Sequence, residues 1–162
     1  MILHYFKKKE NTQKIIVENL YKNILLESNL FLNQNSFFKE KNYKTSFEIV
    51  SMLIILHIKK NIKYKIKNYK LINEEIINIF ILDLDESLRA KGIGDMSIGK
   101  YVKSYVKKFY FRLAHFPGNI DKIKIEEFSK YLKLFDFIIE NKEIEASKEF
   151  LIFLDKTSAH IK

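Results

Sequence analysis

Residues 45–58 read Thr-Ser-Phe-Glu-Ile-Val-Ser-Met-Leu-Ile-Ile-Leu-His-Ile. Thr45 and Glu48 stand three apart just ahead of an apolar run. That is the spacing of a capping box, in which each side chain satisfies the other residue's free backbone N–H at a helix start. The helix it opens carries Phe47, Ile49, Val50, Met52, Leu53, Ile54, Ile55, Leu56 and Ile58, so it is apolar nearly all round. Such a helix has to be covered on every side. The run Ile49–Ile58 is about half of the ~20 residues a membrane-spanning helix needs, so the covering comes from protein.

The rest of the chain supplies helices to do it. Ile15, Ile16, Val17, Leu20, Ile24 and Leu25 fall at helical spacing, which predicts a helix over 12–27 capped by Asn11 or Thr12. Ser28 to Phe38 reads as one or two further turns. Lys59 to Lys70 reads as a helix tail and polar loop. Asn73 caps the next expected helix, with the stripe Ile76, Ile77, Phe80, Ile81, Leu84 and Leu88, and Lys91-Gly92 ends it. Further helices are expected over 97–116, stopped by Pro117-Gly118, over 124–141, and around Phe150–Leu154. Four glycines and one proline in 162 residues leave too few tight turns for a β-sandwich or barrel. The expectation is an all-α fold, a single compact helical domain of about six or seven helices over 1–162. A chain of this size buries enough surface to fold without disulfides or metal.

Composition closes several chemistries. No cysteine is present, which excludes disulfides, thiolate metal sites and cysteine nucleophiles. His4, His57, His115 and His160 show no metal-ligand spacing, and His57 reads as a satisfied core histidine. Gly94-Asp-Met-Ser-Ile-Gly99-Lys100 follows most of a phosphate-loop pattern, but Tyr101 stands where the magnesium-binding hydroxyl belongs. Asp83-Leu-Asp85-Glu-Ser opens like a calcium loop, yet Leu88 and Gly94 occupy its required Gly and Glu positions. The bland alternative is a helix–loop–helix corner. In it Gly92 supplies a left-handed turn, Asp85 and Arg89 pair at i, i+4, and Asp95 or Ser97 caps the following helix. No nucleophile motif appears, so no enzyme activity and no cofactor are expected.

The formal net charge is +9, carried by 27 lysines and only two arginines, Arg89 and Arg112. Lysine is what an A/T-rich coding bias yields, so the two arginines need a reason of their own. Planar bidentate pairing, which Lys cannot make, is one. Both are expected to form partly buried pairs with Asp83, Asp85 or Asp95. Lys100, Lys103 and Lys107 share one helix face, with Lys108 beside them. That face is either solvated or a docking surface for an acidic partner, RNA or anionic lipid.

The stretch Phe80-Ile-Leu-Asp83-Leu-Asp85-Glu-Ser-Leu88-Arg89-Ala-Lys-Gly92-Ile-Gly94-Asp95-Met-Ser-Ile98-Gly99-Lys100-Tyr-Val102-Lys103, followed by Phe109-Tyr110-Phe-Arg112, resembles the signature of the ubiquinol–cytochrome c chaperone family. The motif core spans about 45–116. Three departures stand out. Thr45-Ser46 replaces a Gly-Arg before Phe47, Met52-Leu53 replaces a Leu-His, and Phe111 replaces the Gly of the last motif. The resemblance implies an all-α assembly factor, in its bacterial and alphaproteobacterial form. Its expected partners are newly made cytochrome b or another complex III subunit and a small partner protein, together with a ribosome or anionic membrane surface, and no DNA. The absence of an Arg-rich leader predicts a cytoplasmic protein, peripheral at the inner membrane. Phe31, Phe37, Phe38, Tyr105 and Tyr110 are its expected spare aromatic surface. The rival expectation is an RNA- or ribosome-binding helical module acting through the basic face alone.

Overall fold

The computed structural model describes the backbone of residues 2–158 and the side chains of residues 13–157. The side chain of His4, all of His160 and the side chains of the lysine-rich start lie outside the described residues. Six α-helices follow in order: α1 (Ile2–Gln34), α2 (Tyr43–Lys63), α3 (Tyr69–Ala90), α4 (Asp95–His115), α5 (Ile125–Leu132) and α6 (Glu143–Ser158). A short 3₁₀ turn, Lys133–Phe135, extends α5. The fold is all-α, with no strand among the described residues beyond one isolated bridge. By its internal contacts the chain divides into two compact units. The first comprises Met1–Asn23 and Asn61–Phe111, the second Ile24–Lys60 and Arg112–Lys162.

In the first unit the period of three and four residues decides what is buried. Val17 and Tyr21 of α1, Ile76, Phe80, Leu84 and Leu88 of α3, and Ile98 and Phe109 of α4 form its core. Phe80 and Phe109 meet at 5.2 Å between ring centres. Tyr21 Oη donates to Asp83 at 2.7 Å, giving a mostly apolar face one directional contact. Asn73 does not cap α3. The helix starts four residues earlier, at Tyr69, because Asn68 adopts the left-handed conformation that Asn tolerates and its carbonyl accepts from Ile72 N–H at 3.1 Å. Asn73 is instead buried, and its Oδ1 accepts from Asn61 Nδ2 at 2.8 Å. Neither Asn11 nor Thr12 starts a helix, since α1 is already under way at Ile2. The expected extra turns from Ser28 are simply its continuation to Gln34.

In the second unit α2 is enclosed as its composition requires, with every residue from Phe47 to Ile58 buried. Its cap is Asn42, whose Oδ1 accepts from Thr45 N–H at 3.1 Å. Thr45 lies inside the helix and donates to the Glu40 carbonyl at 2.6 Å, so the capping-box reading of Thr45 and Glu48 is overturned. The expected helix over 124–141 ends early. Asp136 turns left-handed (φ 46°), and the next residues run extended against the stretch after α1. There Lys39 N–H donates to Phe137 O at 3.0 Å and Ile139 N–H to Phe37 O at 2.9 Å. This detour swings Phe137 and Ile138 into the core, which a continued helix would not do. A dense aromatic cluster results. Phe31 stacks on Phe153 at 4.2 Å and meets Phe150 at 4.6 Å, while Phe37 and Phe38 meet at 4.6 Å. Phe31, Phe37 and Phe38 are therefore core and not spare surface.

Candidate functional site

Two polar constructions and one exposed ridge stand out, and each grows from local sequence. The first is the corner between α3 and α4. Gly92, at φ 89°, ends α3. Its N–H donates to Arg89 O at 2.8 Å, and Ile93 N–H donates to Leu88 O at 3.2 Å, the paired bonds of a glycine-terminated helix. Gly94 then opens α4, its carbonyl accepting from Ser97 and Ile98. Asp95 enters the first helical turn and does not act as a cap through its side chain. Its carboxylate faces Arg89, which also holds Asp85 one turn back. The two carboxylates raise the Arg89 pKa, Asp85 more than Asp95. Asp83 takes no part in this clamp and accepts from Tyr21 and Ser87. A Cβ placed on Gly94 or Gly99 meets nothing within 4 Å, so no close packing within the chain calls for either glycine. The loop between the two helices is mostly exposed, and it follows a helix where a phosphate loop follows a strand.

The second construction lies in the other unit. Arg112, at the end of α4, pairs through Nε and Nη2 with both carboxylate oxygens of Glu48 on α2. Each side chain is only 8% exposed. The guanidinium sits over the Phe135 ring at 4.4 Å and over Phe47 at 5.5 Å, so aromatic faces supply part of the solvation that water would give elsewhere. Tyr131 Oη donates to the Arg112 carbonyl at 3.3 Å, and burial raises its pKa. The expectation that both arginines serve the corner thus divides: Arg89 takes Asp85 and Asp95, and Arg112 takes Glu48. Sequence reasoning missed Glu48 by spending it on a cap. The usable signal was a carboxylate inside a helix buried all round, which demands a scarce bidentate partner elsewhere in the chain.

The exposed ridge runs along α4. Lys100, Lys103 and Lys107 face solvent, and Lys108 is half-buried with its Nζ 5.0 Å from the Tyr105 ring centre. Tyr110 is half exposed and Tyr105 intermediate. Among the described residues no cluster of three or more potential metal ligands exists, and no helix is long and apolar enough to cross a membrane. His57 is buried, and its Nδ1 has no hydrogen-bond partner, so it is not the satisfied core histidine expected.

The profile of the ubiquinol–cytochrome C chaperone family matches residues 36–128, a span that holds Glu48, the whole corner and Arg112. The chain belongs to the ubiquinol–cytochrome c chaperone family. The match makes it an assembly chaperone of the ubiquinol–cytochrome c reductase system, respiratory complex III. The fold is similar to that of the Cbp3 homolog from Brucella abortus, known from a crystal structure. The TM-score is 0.72 at 23% identity, covering 97% of this chain and 88% of that one. No curated protein matches the chain in sequence.

Proposed function

We propose that this chaperone serves newly made cytochrome b, without catalysing a reaction, from a cytoplasmic position at the inner membrane and with a small partner protein. The family match over 36–128 carries the reading, because it encloses both arginine sites in one motif. A membrane subunit exposes apolar helices before assembly, and an all-α scaffold offers side chains held in place by packing. The experiment is affinity capture of the tagged chain from membranes of its own cells, followed by identification of bound subunits. Cytochrome b enriched above other membrane proteins is the expected result. Another complex III subunit enriched in its place would overturn the choice of client while leaving the family role intact.

A second reading, an RNA- or ribosome-binding module, is favoured by one observation. Between Met96 and Phe111 there are four lysines and no acidic residue. Capture of RNA alone, with no complex III subunit, would support it.

A further inference from the structure

The outer ridge of α4 carries more than charge. Met96, Lys100, Lys103, Lys107 and Phe111 follow one another at intervals of three and four residues, so they lie in one line along the helix. Met96 is fully exposed, and Phe111 and Tyr110 are 46% and 49% exposed. The line is about 22 Å long. Apolar side chains thus stand at both ends of a row of lysines, on the side of α4 opposite its buried Ile98 and Phe109.

We infer that this ridge docks in the plane of an anionic lipid bilayer, with Lys100, Lys103 and Lys107 on the headgroup phosphates and Met96 and Phe111 dipping between them. Charge complementarity argues for an anionic surface. Three further observations favour lipid over RNA. First, both arginines are already engaged, Arg89 with Asp85 and Asp95, and Arg112 with Glu48. The ridge is left with lysines, point charges on flexible stems. These suit a fluid array of headgroups better than the fixed phosphate geometry that bidentate Arg reads. Second, an exposed Met and an exposed Phe gain from an apolar boundary layer, and lysine stems snorkel beside them. Third, Gly99 beside this line has open space above it, although glycine weakens a helix interior. A bare backbone there lets a flat surface come close. The inference is independent of the client. The vesicle experiment contains no cytochrome b, so its failure and the failure of the cytochrome b reading are separate results.

The test is co-sedimentation of the full chain with phosphatidylcholine vesicles, with and without phosphatidylglycerol, at low and moderate salt. Binding is expected only with phosphatidylglycerol, and it should weaken with salt as exposed charges are screened. The variant Lys100→Glu/Lys103→Glu/Lys107→Glu should bind at least about a hundredfold more weakly, since each lysine near an anionic leaflet contributes roughly fivefold. Circular dichroism establishes that the variant is folded, and Lys100→Ala/Lys103→Ala/Lys107→Ala gives the same direction should it not be. The chain has no tryptophan. Phe111→Trp therefore supplies a single reporter, whose emission should shift to the blue on phosphatidylglycerol vesicles and stay unshifted in the lysine-reversed background. Equal binding to both vesicle types, undiminished binding by the reversed variant, or an unshifted Trp emission overturns the proposal. So does a chain that ignores vesicles and binds ribosomal RNA with the same lysine dependence, which would make the ridge an RNA face.

Discussion

Arg89 and Arg112 both hold carboxylates, but in opposite surroundings. Arg89 is 44% exposed and reaches Asp85 and Asp95 in water. Arg112 is 8% exposed, locked to Glu48 and close to the rings of Phe47 and Phe135. In water, ion pairs are weak because solvent competes for both partners. Out of water, the pair itself gains little over an apolar replacement, but breaking it strands a charge. The same residue type therefore serves two ends: a replaceable brace on a corner, and an all-or-nothing lock in a core.

The sharpest way to break this contrast is to strand the buried charge. Arg112→Ala should destabilise the fold by about 3–5 kcal/mol, read from denaturant midpoints, because Glu48 remains buried without its partner. The double variant Arg112→Met/Glu48→Leu should recover most of that loss. A double variant as unstable as the single one would show that the pair contributes more than charge compensation.

Acid attacks the same buried unit by another route. Burial, with Lys60 adding to it, holds His57 down to about 4. An unfolded histidine titrates near 6.5, so between those values the unfolded chain takes up a proton that the folded chain refuses. Stability should fall as pH drops from about 6.5 to 4, by about 3 kcal/mol in all, and His57 should make no difference above pH 7. His57→Phe should flatten that slope in denaturant titrations at several pH values. An unchanged slope would place the acid sensitivity elsewhere.

Two smaller effects test the corner. Gly92→Ala forces a side chain into a left-handed turn at φ 89° and should cost about 1 kcal/mol in thermal or chemical unfolding. Gly94→Ala, with open space and no such φ, should cost much less. Arg89→Lys should leave the denaturant midpoint unmoved, since a lysine in solvent still reaches the aspartates. A clear loss would mean that the fork geometry matters even at the surface.

The helices and the corner were legible because their signals are local. Periodicity set the buried stripes of α3 and α4, and Gly92 announced its own turn. What escaped was long-range. Glu48 and Thr45 fit a local cap so well that the distant demand of Arg112 went unseen. Phe31, Phe37 and Phe38 look like a free aromatic patch until Phe137, Phe150 and Phe153 arrive from the far end of the chain. The helix over 124–141 was overextended for the same reason. Nothing within Leu134 to Asn141 says that Phe137 must turn inward, and only its partners near Phe38 require it.

The bridge between Phe38 and Ile138 also has a meaning in time. It closes a loop of about a hundred residues, an entropic cost of about 4 kcal/mol that two backbone hydrogen bonds, at roughly 1 kcal/mol each, do not repay. It therefore follows from packing of the phenylalanine rings and cannot lead it. During synthesis the first unit has its entire chain once Phe111 has been added, whereas the second still lacks everything from Arg112 onward. At about 5–20 residues per second that delay is several seconds. For most of it Phe31, Phe37 and Phe38 are without Phe137, Phe150 and Phe153, the rings that pack against them. An assembly chaperone thus passes through such an interval in its own making.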